Sequence, residues 1–375
     1  MDFTPTEAAD DLTRLTADIA GRIVTTERTA DLEAQGAAID ERLWTEIARA
    51  GLLGLAAPTS IVGETGADLT TLETTAVAST LGAALARVPY PQHAVAAVPL
   101  IAEYGPDSLR DSILGKACTG EAVVTAAVEE DLNFDLLSPA TTVSPAGAVT
   151  GTKVDVPFAA AADAFLVFAA GPDGPVAAVV DAAADGIEIT DTPVTGLTPV
   201  HTVTFADAPA ELLAGGAETV RLARELLRLG VAADQAGVVS GALEATAEYA
   251  REREQFGRPI GSFQAVAQRL ADDYIDAQAL SLTVTQAAWM LSGEPVADRS
   301  DVTPAAITEA VDTAAFWSAD AGHRVAHTTV HVHGGVGIDT SHPAHRFFLR
   351  AKQNEFTYGS SPVVLAELGD ALAAE

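Results

Sequence analysis

The stretch "REREQFGRPIGSFQAVAQRLADDY", residues 251–274, decides how this chain is read. Taken alone it is the end of one helix, a turn between Gly257 and Gly261 and the start of another helix, with Arg251, Arg253 and Arg258 as solvated charges. Upstream, the run from Glu218 that begins "ETVRLARELLRLG" keeps a helical period up to this stretch. Downstream, "SFQAVAQRLADDYIDAQALSLTVTQAAWMLS" and "TPAAITEAVDTAAFWSADAGHRVAHTTVHVHGG" supply two more long helices. Thr303 suits the N-cap of the last, and Pro304 its first helical position. With a shorter helix around Arg346 to Lys352 or after Ser361, the pattern predicts an antiparallel four-helix bundle over residues 216–375. Arg299, in the loop before Thr303, lies outside every motif.

Working outward, residues 119–215 carry short apolar runs such as "AVVTAAV", "AFLVFAA", "PVAAVVDA" and "HTVTFA", separated by Gly, Pro and Asp clusters. That texture predicts a small β domain. Residues 1–118 return to helical spacing, as in "TPTEAADDLTRLTADIAGRI" and in "IDERLWTEIARAGLLGLAAP", which breaks at Gly51 and Pro58. The expected order is helical domain, β domain, helical bundle, an α+β architecture.

Of 375 residues, 21 are Lys or Arg and 52 are Asp or Glu, a net charge of −31 that repels a phosphate backbone and argues against nucleic acid. Nine of the basic residues fall in 1–215 and twelve in 216–375, so an anionic ligand, if one binds, is expected at the bundle. No apolar run is long enough to cross a bilayer, and the start "MDFTPTEAADDL" is acidic where a signal peptide is basic. With Cys118 as the one cysteine, the chain has no intramolecular disulfide, which suits a reducing compartment. A cytoplasmic protein that does not bind membranes is expected.

Two further features carry chemistry. His323, His327 and His331 repeat every four residues on one helix face, with His333 just beyond, a spacing able to hold a metal. Without an acidic residue in the series or an HExxH arrangement, an ordinary packed helix face is the preferred reading and no metal is expected. Gly334, Gly335 and Gly337 follow in "HGGVG". One glycine serves to end a helix, whereas several in a row leave a backbone that a ligand or a second chain can approach closely.

Together, "REREQFGRPIGSFQAVAQRLAD", "HVHGGVG" and "HPAHRFFLRAK" resemble the acyl-CoA dehydrogenase family, and the domain order agrees over nearly the whole chain. The resemblance implies FAD as cofactor, removal of an α proton and a β hydride from an acyl-CoA, and a tetramer in which each FAD extends across a subunit boundary. It places Arg253, Gln255, Phe256, Gln264, His331, Gly334 and Gly335 against the adenine and pyrophosphate half of a neighbour's FAD. These residue types suit that role: arginine meets the pyrophosphate with a planar fork, amides and aromatics suit a purine, and glycines let N–H groups reach an anion.

The departures from the family are equally informative. The usual base position holds Tyr358, before Gly359, and the alternative position holds Leu227, before a retained Arg228. Glu225 lies about 200 degrees around the helix from that slot and is expected to face away. In the β domain, "TAAVEEDLNFDLLSP" and "GTKVDVPF" stand where the family has Thr-Glu-Pro with Gly-Ser-Asp, and a Trp followed by Thr or Ser. This pattern resembles the β subunits of actinobacterial steroid-CoA side-chain dehydrogenases, which pair with a catalytic α subunit as α2β2 tetramers. It implies a chain without a catalytic base that completes a partner's FAD site, serving a steroid-CoA substrate and an electron-transfer flavoprotein or similar acceptor. The rivals are a self-sufficient homotetramer with an unrecognised base, and a flavin-free scaffold.

Overall fold

A computed structural model describes residues 3–293 and 302–373, so Arg299 lies outside the described residues. The N-terminal helices are α1 (Glu7–Ile23), α2 (Thr26–Ala34), α3 (Glu41–Arg49), α4 (Thr59–Val62) and α5 (Thr71–Ala83). Each long one starts at a side chain that caps it. Thr6 accepts the Ala9 N–H, Asp40 accepts the Leu43 N–H, and Thr70 with Glu73 forms a reciprocal capping box. A π-helical segment over Pro91–Ala97 runs directly into α6 (Val98–Tyr104), followed by α7 (Asp107–Leu109) and α8 (Gly115–Thr119). The π-helical residues are all buried, and one of them, Gln92, reappears at the site below.

The sheet comprises β1 (Val124–Ala127), β2 (Thr142–Val143), β3 (Ala148–Pro157), β4 (Ala164–Gly171), β5 (Gly174–Asp181), β6 (Ile187–Asp191), β7 (Val200–Pro209) and β8 (Glu211–Leu212). Its order is β6-β7-β3-β2-β4-β5-β8, with β1 parallel to β4. The apolar runs foretell β1, β4, β5 and β7. β3 and β6 escape notice because threonines and charges interrupt their apolar residues, and β6 buries none. Phe165 and Phe205 meet edge-on across the sheet core at 6.0 Å.

The bundle is built from α9 (Ala217–Glu252), α10 (Gln264–Leu291), α11 (Pro304–His333), α12 (Ala344–Asn354) and α13 (Ser361–Ala373). Thr303 caps α11 as expected, accepting the Ala306 N–H. The expected short fourth helix is present twice, as α12 and α13. Helix α9 ends at Glu252, and a two-stranded hairpin of β9 (Glu254–Gln255) and β10 (Arg258–Pro259) takes the place of a simple turn. Close approach of α5 and α9 depends on glycine: a Cβ on Gly237 would lie 1.8 Å from the Ser79 carbonyl oxygen, and one on Gly82 would lie 2.1 Å from that of Asp234. One apolar core joins sheet and bundle, with Val124, Leu166 and Phe168 packed in the same cluster as Leu227 and Tyr358. Among the described residues, no helix is long and apolar enough to cross a membrane.

Candidate functional site

Where the sheet meets the bundle, a cleft of about 590 Å³ opens between the π-helical segment, β3, the β6–β7 connection and α12. Its apolar lining includes Phe158, Val200, Val231 and Phe348, and its polar lining includes Gln92, Glu129, Asp155 and Arg350. One wall is a closed hydrogen-bond network. Arg350 grips Asp234 with two bonds, at 2.9 and 3.0 Å, and reaches across the cleft to the Thr198 hydroxyl. Gln353 pairs with both the N–H and the carbonyl of Thr198, each at 2.9 Å, and Asn354 adds a 2.7 Å bond to Asp234. Lys352 is likewise occupied, by Glu355 at 2.6 Å.

The opposite wall carries Glu129 and Asp155, neither of which forms an ion pair with a described residue. Glu129 accepts the Tyr358 N–H at 3.1 Å, but burial, reinforced by the nearby Asp155 charge, pushes its carboxyl up to about 8. Its neighbour Glu130 behaves oppositely. Burial opposes its ionisation, yet Lys153 at 2.7 Å and the N–H groups of Ala140 and Thr141 outweigh that and hold it down at about 2. Glu130 thereby ties the 130–141 loop to β3. Gln92 is only 5% exposed; its Nε2 donates to the Tyr358 hydroxyl at 3.3 Å and its Oε1 has no partner among the described residues.

The two positions that the resemblance gives to a base hold Tyr358 and Leu227. Tyr358 is buried at φ +60, and burial beside Glu129 holds its hydroxyl protonated far above neutral pH. Leu227 is fully buried against the sheet. The retained Arg228 points its guanidinium at Asp312 (2.7 Å) and Glu367, and donates to the Tyr358 carbonyl at 2.9 Å. Glu225 is turned toward α11, where it accepts from the Thr308 hydroxyl, and it also accepts from Arg221 of its own helix at 2.8 Å. It therefore does not reach the cleft lining.

At the far end of the bundle, the C-termini of α9 and α11 and the N-terminus of α10 come together. Tyr249 stacks on His333 with ring centroids 4.3 Å apart, and Thr246 bonds to Thr329 at 3.2 Å. Arg253, Gln255, Phe256, Gln264, His331, Gly334 and Gly335 all occur at this end, and all are exposed. Among the described residues, the Arg253 guanidinium has no hydrogen-bond or ion-pair partner. Phe256 and Gly257 adopt φ of +56° and +78°, the tight hairpin geometry that favours Asn-Gly and penalises a bulky aromatic. Phe256 is nevertheless 93% exposed there. Gly334 has φ +62, and a Cβ on either Gly334 or Gly335 would meet nothing within 4 Å.

The histidine series divides. His323 contacts Glu355 at 3.2 Å and Lys352 at 3.2 Å, His327 meets Phe348 edge-on, and His333 is buried with Nδ1 at 2.8 Å from the Thr329 carbonyl oxygen. At the bundle end His331 is exposed, whereas His333 is buried under Tyr249. Glu129, Gln92 and the Arg350–Asp234 pair went unnoticed in the sequence. A Glu just beyond a buried strand run and a Gln inside an apolar helix were the signals available for the first two.

Residues 6–121 match the family model described as acyl-CoA dehydrogenase, N-terminal domain, and residues 215–373 match acyl-CoA dehydrogenase, C-terminal domain. The chain is 42% identical to acyl-CoA dehydrogenase FadE27 of Mycobacterium tuberculosis, covering 100% of this chain and 99% of that one. Against the crystal structure of the ChsE4-ChsE5 complex from Mycobacterium tuberculosis the TM-score is 0.90, at 41% identity with both chains fully covered. A variant of the Tcur3481-Tcur3483 steroid ACAD gives a TM-score of 0.90, at 36% identity over 98% of each chain. With the two domain models, the full-length relative and the three-part fold in agreement, this chain belongs to the acyl-CoA dehydrogenase family, a family of FAD-dependent flavoproteins.

Proposed function

We propose that this chain is the non-catalytic subunit of a heteromeric acyl-CoA dehydrogenase, paired with a catalytic α subunit as α2β2 and completing that partner's FAD site. The observation that carries the reading is an asymmetry between two sites. The residues that would serve a neighbour's cofactor are intact, clustered and exposed, while the cleft that would hold this chain's own flavin ring is altered in chemistry. Pro157 offers no N–H, Glu129 and Asp155 set two carboxyls on one wall, and Arg350 crosses to Thr198 through the interdomain space. A reduced flavin gains negative charge, and Arg350 and Lys352, the cations at the cleft, are already paired with Asp234 and Glu355. The residues here do not fit a flavin ring of this chain's own.

At the bundle end the residues do fit. Arg253 would answer the pyrophosphate charge, Phe256 and Gln264 the adenine, and Gly334 and Gly335 would let backbone N–H groups approach. FAD held there by a partner would supply the hydride acceptor, and this subunit would bind and orient its distal half. A bulky, sterol-derived acyl-CoA as substrate is supported by the likeness to a steroid ACAD and to the ChsE4-ChsE5 complex. An electron-transfer flavoprotein or similar acceptor and a cytoplasmic setting complete the proposal. Co-expression with the neighbouring dehydrogenase-like reading frame, followed by flavin absorbance per tetramer, tests it: one flavin per α subunit is expected. A flavin in every subunit, or an active and flavin-loaded homomer of this chain, overturns it.

A further inference from the structure

We propose that the cleft between sheet and bundle in this chain binds an uncharged, mostly apolar ring molecule bearing a hydroxyl or ketone, such as a free steroid. The inference rests on the reading that this chain carries no flavin of its own. Three observations lead to it. The cleft's volume of about 590 Å³ and its lining of Phe158, Val200, Val231 and Phe348 suit a drug-sized apolar ligand.

Second, the cleft offers an anion no free cation. Arg350 and Lys352 are already paired with Asp234 and Glu355, and the ionisable groups left without an ion-pair partner are Glu129 and Asp155. A CoA phosphate or a fatty carboxylate would find no unpaired cation among the described residues of the lining. Third, two polar groups lack a full set of partners. Gln92 is 5% exposed and leaves its Oε1 unbonded, and whichever way the amide is turned one of its polar atoms stays unmatched. Glu129 uses one carboxyl oxygen for the Tyr358 N–H and leaves the other for a ligand. A hydroxyl can donate to one such group and accept from the other, and a ketone can accept from a protonated Glu129. A quaternary cation would suit the aromatic rings but could not meet the Gln92 acceptor.

Equilibrium dialysis of full-length protein against labelled testosterone, which is uncharged and carries both a ketone and a hydroxyl, tests the proposal. Saturable binding of one molecule per chain is expected. Val194→Trp, at the exposed mouth, and Gln92→Leu should each weaken it by about tenfold or more, and Glu129→Gln by no more than about threefold because its amide still donates. Circular dichroism confirms that each variant is folded. Absence of saturable binding, or binding indifferent to Val194→Trp, overturns the proposal, as does benzyltrimethylammonium binding in place of testosterone. Riboflavin separates the two readings: binding of riboflavin that Val194→Trp abolishes sinks both. Failure of riboflavin and testosterone alike removes only the present inference.

Discussion

The backbone N–H of Tyr358 donates to Glu129 Oε1 at 3.1 Å, a bond that ties the loop after the first sheet strand to the loop before the last helix. It joins the family's usual base position to a carboxyl from the opposite wall. The bond favours ionised Glu129, but burial dominates and raises the group from 4.5 to about 8. In the unfolded chain Glu129 ionises at its ordinary value, so its stabilising contribution is complete below about pH 4.5 and declines as pH rises through about 8. Glu129→Gln removes that decline. The variant should match the parent near pH 4.5 and exceed it above pH 8, by on the order of 2 kcal/mol once water in the cleft is allowed for. Urea midpoints between pH 4.5 and 9 check this, and a constant difference across that range refutes it.

Lys153 and Glu130 form an ion pair at 2.7 Å, with side chains 0% and 7% exposed. Removing one member strands the other charge away from water. Lys153→Met should therefore cost about 3 kcal/mol in chemical denaturation, and adding Glu130→Gln should recover much of it. Equal losses in the single and double variants would show that the ammonium acts by packing alone.

Tyr358→Glu, the substitution that restores the family's residue type, should not make the isolated chain a dehydrogenase. Tyr358 is 1% exposed and lies beside Glu129, so a carboxylate there faces burial next to a second carboxyl group. The expected result is no α,β-dehydrogenation of an acyl-CoA and a lower melting temperature. Turnover by this variant, with flavin bound one to one, would show that the cleft can still host the redox ring.

Much of this was legible in the sequence because it depends on local pattern. Long helical periods, the Thr303 cap with Pro304, and the glycines after His333 announce the bundle without reference to anything distant. The exposed end was picked out by the family resemblance rather than by spacing, which alone reads as a helix, a turn and a helix with Arg253 as a solvated charge. The cleft is different. Glu129, Gln92, Asp155 and Arg350 come from four separated segments, and a glutamate beside a strand reads as a surface charge until the fold buries it. β3 was missed on similar grounds, since Lys153 interrupts it and its partner Glu130 is not on the adjacent strand. The hairpin at Phe256 was missed because a bulky residue at positive φ contradicts the turn preferences from which it would be inferred.

That contradiction supplies the sharpest test of the FAD-sharing role. Phe256 holds φ +56 at 93% exposure, a costly conformation that, among the described residues, only an edge contact with Phe263 at 6.2 Å offsets. Phe256→Gly should leave this chain's own melting temperature unchanged or raised, because glycine adopts that conformation freely. The same variant should lower flavin retention in the co-purified complex, since the aromatic face is gone. Arg253→Ala should reduce FAD affinity about ten- to a hundredfold, the loss expected for a charge-assisted hydrogen bond to a pyrophosphate, with circular dichroism unchanged. Arg49→Ala, at an exposed i,i+3 pair with Glu46 on α3, should alter neither quantity and serves as the control. The measurement is flavin absorbance per tetramer after dialysis. If Phe256→Gly and Arg253→Ala both keep full flavin, the exposed bundle end is solvated surface, and the assignment of this subunit to its partner's cofactor site fails.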